Sequence, residues 1–256
     1  MNDNTVKHLD LFSGIGGFSL AARWAGWETI GFSETNEFSI KVLKKHWPEV
    51  RNYGDIKLIK NIKCDVITGG FPCQPWSIAG AQKGEKDDRH LWPEALRVIA
   101  QSRPTWFIGE NVTGLISLGL DKVQFDLEGI GYTSRTFAIP AVSVGADHNR
   151  ERVWIVAYPS GNGCNEGKVS RGNDSTDDDC QKREEENSND ERCRCLRPSL
   201  DWGSSETGSW GTEPPPIRVA DGLPNRMDRN RALGNSIVPQ VAYRVMTAIN
   251  QSYYAK

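Results

Sequence analysis

Along the first 159 residues, short apolar runs alternate with stretches whose apolar positions recur at helical spacing. Residues 7–12 alternate and then turn apolar, and they run into a glycine cluster, Gly14-Ile15-Gly16-Gly17. Phe18, Leu20, Ala21, Ala22 and Trp24 follow at helical spacing, and Gly26 ends them. A second strand is predicted over 29–32 and a helix over 37–46, closed by Pro48. Residues 64–68 read as a third strand that again meets two glycines. A helix over 91–102 stops before Pro104, and a fourth strand covers 106–108. A helix over 122–130 and strands over 134–139 and 152–157 complete the series. Strands alternating with helices predict an α/β fold, with a mostly parallel sheet covered on both faces.

The pattern breaks near residue 160. Residues 161–200 carry seven basic and ten acidic side chains, a net of −3 in a chain whose total is −2. Only seven of these forty residues are apolar, and four of the seven are cysteines. Such a segment buries too little apolar surface to offset its ordering entropy, so a long mobile excursion is expected. Residues 201–220, with Trp202, Trp210 and Pro214-Pro215-Pro216, suggest a small irregular module. A final helix is predicted over 238–249, with Val241, Val245, Ala248 and Ile249 on one face. The expected division is 1–160 for the α/β unit, 161–230 for a small irregular insertion, and 231–256 for a segment that returns to the first unit.

Composition narrows the classes. A chain of 256 residues, 38% apolar and 25% charged, is neither a collagen, a coiled coil nor a fully disordered protein. No apolar run approaches the ~18 residues of a membrane helix, and the polar start Met1-Asn2-Asp3-Asn4 has no signal-peptide core, so a cytoplasmic protein is expected. With a net charge of −2 there is no global basic signature, so any polyanion must be met by a local basic face. The six cysteines form no obvious disulfide framework for such a compartment. Cys164, Cys180, Cys193 and Cys195 are spaced like no common zinc site, and no metal is expected.

Four clusters carry candidate chemistry. The glycine turn after the first strand, Ser13 to Gly17, lets a ligand approach backbone N–H groups at a helix start, although it is not a dinucleotide fingerprint. Glu34 ends the second strand about 20 residues later, where an acid accepts hydrogen bonds from ribose hydroxyls. Asp55 reads either as an ordinary turn aspartate or as a cap beside the same crevice. Cys73 follows the third strand between Pro72 and Pro75, in a loop too polar and glycine-rich for a core strand. The glycine- and charge-rich residues 80–90 beyond it are a candidate lid. Glu110 is expected directly after the fourth strand, pointing into the crevice with Cys73, where partial burial would let it donate a proton near neutral pH. Arg150 and Arg152 would share one face of a strand entry as a fork for phosphate or carboxylate.

In their order and spacing these motifs resemble the cytosine-C5 DNA methyltransferases. The matching pieces are Asp10–Phe18, Glu34, Asp55, Gly70–Ser77 with its Pro-Cys-Gln core, Glu110-Asn111-Val112, Arg150-Glu151-Arg152, and Leu233-Gly234-Asn235-Ser236 followed by Pro239. The resemblance implies a Rossmann-like catalytic domain over 1–160, a target-recognition region over 161–230, and S-adenosylmethionine as cofactor. It implies that Phe12 stacks on adenine and that the backbone of Ser13, Gly14, Ile15, Gly16 and Gly17 holds the methionine end. Glu34 would bind the ribose, Asp55 the adenine amine, and Pro72 would complete that surface. Cys73 becomes the nucleophile, Glu110 the partner of cytosine N3, and Arg152, with Arg150 alongside, the holder of base and acid. Asn235 and Ser236 would support the site from the returning segment. Double-stranded DNA is the implied partner, met by a closing loop over 77–90 with Lys83, Lys86 and Arg89. The protein is expected to act as a monomer, and a cognate restriction endonuclease is allowed as a further partner.

Two departures are visible. Asp147-His148 stand where the family carries a Pro-Gln pair, and only about 70 residues separate Pro159 from the Leu-Gly-Asn-Ser motif, short for a recognition region. A tRNA cytosine-C5 methyltransferase would share the catalytic motifs but is expected to carry Cys-Phe-Thr, which is absent from the sequence. A catalytically degenerate DNA-binding homologue is the non-enzyme alternative, and the intact Cys73, Glu110 and Arg152 argue against it.

Overall fold

The computed structural model describes residues 5–72, 91–162 and 226–254. Cys73, the 77–90 loop with its basic residues, and residues 163–225 with four of the cysteines lie outside the described residues.

Seven strands form one sheet: β1 Lys7–Leu11, β2 Glu28–Ser33, β3 Arg51–Asn52, β4 Val66–Gly69, β5 Trp106–Val112, β6 Tyr132–Ile139 and β7 Arg152–Pro159. Their order across the sheet is β3-β2-β1-β4-β5-β7-β6. β7 runs antiparallel to both of its neighbours, and the pairs from β3 to β5 are parallel. The expected Rossmann-like, mostly parallel sheet is therefore present. From β1 the chain winds outward to β2 and β3 on one side, and to β4 and β5 on the other. That reversal is the switch point at which open α/β sheets leave a crevice beyond their C-terminal strand ends.

Both faces are buried, which explains why the strands read as nearly continuous apolar runs. Alternate residues serve alternate cores. Ile67, Phe107, Val153, Ile155 and Ala157 face a core shared with α3 (Trp92–Ser102) and α5 (Leu120–Gly129). Val66, Trp106, Ile108, Trp154 and Val156 face α1 (Gly17–Trp24) and α7 (Pro239–Tyr254). α2 (Glu37–His46) begins at Asn36, whose side chain accepts the Ser39 N–H at 3.0 Å. A short helix, α4 (Leu115–Leu118), precedes α5. No helix among the described residues is long and apolar enough to cross a membrane.

Near the C-terminal end of the described residues, α7 packs on the sheet and against α1. At Gly17 a Cβ would sit 2.8 Å from Ile237 Cγ1, so glycine lets the start of α1 close on the segment before α7. At the other end Trp27 Nε1 donates to Asn250 Oδ1 at 2.7 Å, and Asn250 Nδ2 donates to the Ala25 carbonyl at 3.0 Å. Asn250→Ala strands a buried indole N–H and is expected to destabilise the fold by about 1–3 kcal/mol. The check is a lowered urea midpoint at unchanged slope.

A polar network is sealed beneath α1. Asp10 accepts from Ser19 Oγ at 2.6 Å and Thr68 Oγ1 at 3.2 Å, and His8 meets Thr68 at 2.8 Å and Thr29 at 3.0 Å. Burial pushes the His8 pKa down to about 3 and the Asp10 pKa up to about 7.

Beyond the unforeseen short helix α4, three features differ from the sequence expectation. β3 has only two residues, too few to show a period. β5 continues to Val112, so Glu110 and Asn111 lie inside the strand and not after it, because antiparallel pairing of Val112 with Arg152 prolongs the ladder. A further helix, α6 (Arg226–Asn235), precedes α7 and runs across residue 230.

Candidate functional site

A cleft of about 660 Å³ opens at the C-terminal ends of β1, β2, β4 and β5, at the switch point. Since β7 is antiparallel, its first residue lies at the same end of the sheet, and Arg150 and Arg152 join the lining. One wall comes from α6.

The half of the cleft beyond β1 and β2 is acidic. Phe12 lines it with φ at 54°, a left-handed backbone that a bulky residue adopts only under constraint. Glu34 Oε2 accepts the Gly14 N–H at 2.7 Å, and Oε1 accepts the N–H groups of Thr35 and Asn36 at 2.9 and 2.7 Å. One carboxylate thus fastens the glycine turn to the end of β2, with lone-pair capacity left for a ligand. Asp55 combines both of its sequence readings. It caps the 3₁₀ turn Ile56–Leu58 by accepting the Lys57 N–H at 3.0 Å, and it lines the cleft.

Within the glycine turn, Gly14 lines the cleft, while Ser13 and Gly16 serve the turn itself. Ser13 donates its N–H to the Ser33 carbonyl at 3.2 Å and its hydroxyl to the Asp10 carbonyl at 2.7 Å. Gly16 donates to the Ser13 carbonyl at 2.8 Å. It has φ of 88°, and a Cβ there would meet Trp47 at 2.7 Å. Gly17 is occupied with Ile237, and Ile15 is not among the lining residues. The N–H groups of Ser13, Gly14 and Gly16 are thus hydrogen-bonded within the turn and to the end of β2.

The other half is built around Glu110. On the paired strands Glu110 stands opposite Trp154, and Val112 opposite Arg152, so Arg152 is a diagonal neighbour of Glu110 on one face. Arg152 Nε lies 3.3 Å from Glu110 Oε1. Burial pushes the Glu110 pKa up to about 7, although Arg152 and Arg150 both pull it down. Asn111 points the other way. Its Nδ2 donates to the Phe71 carbonyl at 3.1 Å, and its Oδ1 accepts the Val112 N–H at 2.9 Å. It thereby pins the loop Gly70-Phe71-Pro72 to β5, and Pro72 lines the cleft one residue before Cys73.

The two arginines do not form the expected fork. Arg150 precedes the strand, and its Nη2 donates to the carbonyls of Gly234 and Ser236 at 2.7 and 2.9 Å. It anchors the junction of α6 and α7, whereas Arg152 serves Glu110. Asn235 lines the cleft; Ser236 contributes the carbonyl that Arg150 holds, and its hydroxyl donates to the Ile237 carbonyl at 3.1 Å.

Sequence reasoning passed over two positioning residues. Asn111 stood inside a noted motif without a role. Asn52, on the two-residue β3, donates to the Glu34 carbonyl at 2.9 Å and accepts the N–H groups of Glu34 and Gly54 at 3.1 Å each, tying Glu34 to the turn that carries Asp55. Its only sequence signal is a polar residue just before Tyr53-Gly54-Asp55. Among the described residues no group of His, Cys, Asp and Glu is arranged to hold a metal ion.

A family model described as C-5 cytosine-specific DNA methylase matches residues 6–196. Type II methyltransferase M.HgiCII of Herpetosiphon aurantiacus is 36% identical over 159 residues, which cover 59% of this chain and 36% of that protein. Type II methyltransferase M.AplI of Arthrospira platensis is 36% identical over 161 residues, 59% of this chain and 45% of the relative. The match thus spans less than half the length of either relative. Among solved structures, a prophage-encoded Escherichia coli protein superposes with a TM-score of 0.54 at 24% identity, covering 62% of this chain and 48% of its own. At that identity the likeness is one of fold.

Proposed function

The chain belongs to the C-5 cytosine-specific DNA methylase family, and from that premise we propose that it transfers a methyl group from S-adenosylmethionine to C5 of a cytosine flipped out of double-stranded DNA. The observation that carries this reading is Glu110. Its carboxyl is buried, held by Arg152, and protonated up to about pH 7, in a cleft that Pro72 lines one residue before Cys73. In this reading 1–160 is the catalytic domain, 161–230 the target-recognition region, and 231–256 the segment that returns to the catalytic domain.

The acidic half of the cleft fits the cofactor. Glu34 and Asp55 offer carboxylates to ribose hydroxyls and to an adenine amine, and Phe12 offers an aromatic ring. S-adenosylmethionine, when bound, supplies an electrophilic methyl group. The protein's task is to make C5 nucleophilic. Addition of the Cys73 thiolate at C6 makes C5 enamine-like, and the negative charge this pushes toward N3 is met by the proton of Glu110. Arg152 holds the Glu110 carboxyl in place. With the methyl group on C5 and S-adenosylhomocysteine as the leaving product, a base takes the C5 proton, N3 returns its proton to Glu110, and elimination of the Cys73 thiolate restores the ring. C6 is inaccessible inside a duplex, so the base must leave the stack to reach the cleft.

Bisulfite sequencing of plasmid DNA from cells expressing the full chain tests the reading, with methyl transfer to tRNA assayed in parallel. Protected cytosines in a defined sequence context are expected. Transfer to tRNA alone would overturn the choice of substrate.

The cofactor assignment makes a second expectation. Glu34→Ala should weaken S-adenosylmethionine binding about ten- to a hundredfold by calorimetry, as suits the loss of a charged hydrogen-bond partner. Because Glu34 also receives three backbone N–H groups, the same variant should unfold more readily without ligand, by about 1 kcal/mol.

A further inference from the structure

We propose that α6 is a phosphate-binding wall of the cleft, and that Arg231 on it contacts the phosphodiester backbone of the target strand. The inference rests on the methyltransferase reading above. Asp228, Arg231, Ala232 and Asn235 all line the cleft, and they fall at i, i+3, i+4 and i+7, one face of a helix. That face is polar and meets the same space as Glu110 and Arg152.

Among its described side chains, α6 buries little in the core. Arg231 is exposed, and its apolar residues Met227 and Leu233 are 84% and 63% exposed. A helix without a buried face is poorly stabilised by packing. Its C-terminal end is held beside the cleft by the two bonds from Arg150 to Gly234 and Ser236. Arg231 lies three residues before Gly234, about 4.5 Å along the helix axis. Arg231 thus adds a third guanidinium to a lining that already holds Arg150 and Arg152, while Glu34 and Asp55 supply its carboxylates on the proposed cofactor side. Asp228 carries the opposite charge but lies a further turn toward the helix N-terminus, so an anion is drawn to the Arg231 side. A nucleotide whose base reaches Glu110 brings its own phosphates with it, and a guanidinium on the facing wall matches them.

The test measures duplex DNA binding by the full chain across a salt series, together with the KM for DNA and kcat of methyl transfer. Arg231→Gln should weaken DNA binding about tenfold near physiological salt and reduce the slope of log K against log salt by about 1. KM for DNA should rise at nearly unchanged kcat, S-adenosylmethionine affinity should hold, and Arg231→Lys should recover most of the loss. Arg229→Gln, the same charge change on the same helix away from the cleft lining, should stay within about threefold of wild type. If Arg231→Gln behaves like Arg229→Gln while the wild type binds and methylates DNA, the phosphate contact is wrong and the methyltransferase reading stands. If the wild type neither binds nor methylates DNA, the functional reading itself fails and takes this contact with it.

Discussion

Duplex DNA carrying 5-fluorocytosine at the target base is expected to trap the wild-type chain in a covalent complex when S-adenosylmethionine is present, and to trap none of Cys73→Ala. The physical reason lies in the last step of the reaction. Fluorine at C5 replaces the proton that must leave before Cys73 can be expelled, so the adduct at C6 persists. The effect is all or none, because the bond being counted is made by the deleted sulfur. Cys73→Ala should also lose methyl transfer to ordinary cytosine, while its S-adenosylmethionine affinity stays close to wild type, since Glu34, Asp55 and Phe12 are untouched. A denaturation-resistant complex that survives in Cys73→Ala would end the proposed mechanism.

The second large effect belongs to Glu110. Glu110→Gln is expected to reduce the single-turnover rate of methyl transfer by about 10²–10⁴-fold, the usual contribution of a positioned acid. It should also change the shape of the pH profile. Burial raises the pKa of this carboxyl to about 7, so below that pH it is neutral and can donate to N3. Above it the deprotonated carboxylate faces the N3 lone pair and repels it. The acid's contribution is therefore present on the low side of pH 7 and lost as pH rises through it. Glutamine keeps a donor but has no proton to lose, so this limb should vanish in Glu110→Gln. The need for a Cys73 thiolate grows with pH in both proteins, and the difference between their profiles isolates Glu110. Arg152→Gln removes a charge that lowers the Glu110 pKa, so its limb should move above pH 7. Rates measured from about pH 5.5 to 9 decide the matter. A limb near 7 retained by Glu110→Gln would assign it to another group.

Much of this protein was legible from local patterns. The strands showed because their alternate residues are buried on both faces of the sheet, which leaves continuous apolar runs bounded by glycine and proline. The ends of β1 and β2 were readable for the same local reason. A glycine turn and an acid at the next strand end are short-range features, and Gly14 and Glu34 do line one crevice, with Phe12, which the family resemblance added. What pattern could not carry depends on partners distant in the chain. β5 reaches through Glu110 because β7, some 45 residues on, pairs with it. Arg150 and Arg152 are near neighbours in sequence but part company because one finds carbonyls 84 and 86 residues away and the other finds Glu110. α6 lacks the apolar stripe that reveals a helix, and its cleft face became visible only with Arg150 holding its end. The pKa of Glu110 is likewise a property of burial, which no local spacing of residues encodes. The sequence by itself determined which chemical groups the chain carries and the periods of its elements, since both reside in neighbouring residues. Tertiary structure alone decided which strand prolongs which, which arginine holds the acid, and how far water is excluded from it, because each follows from contacts that exist only once the chain has folded.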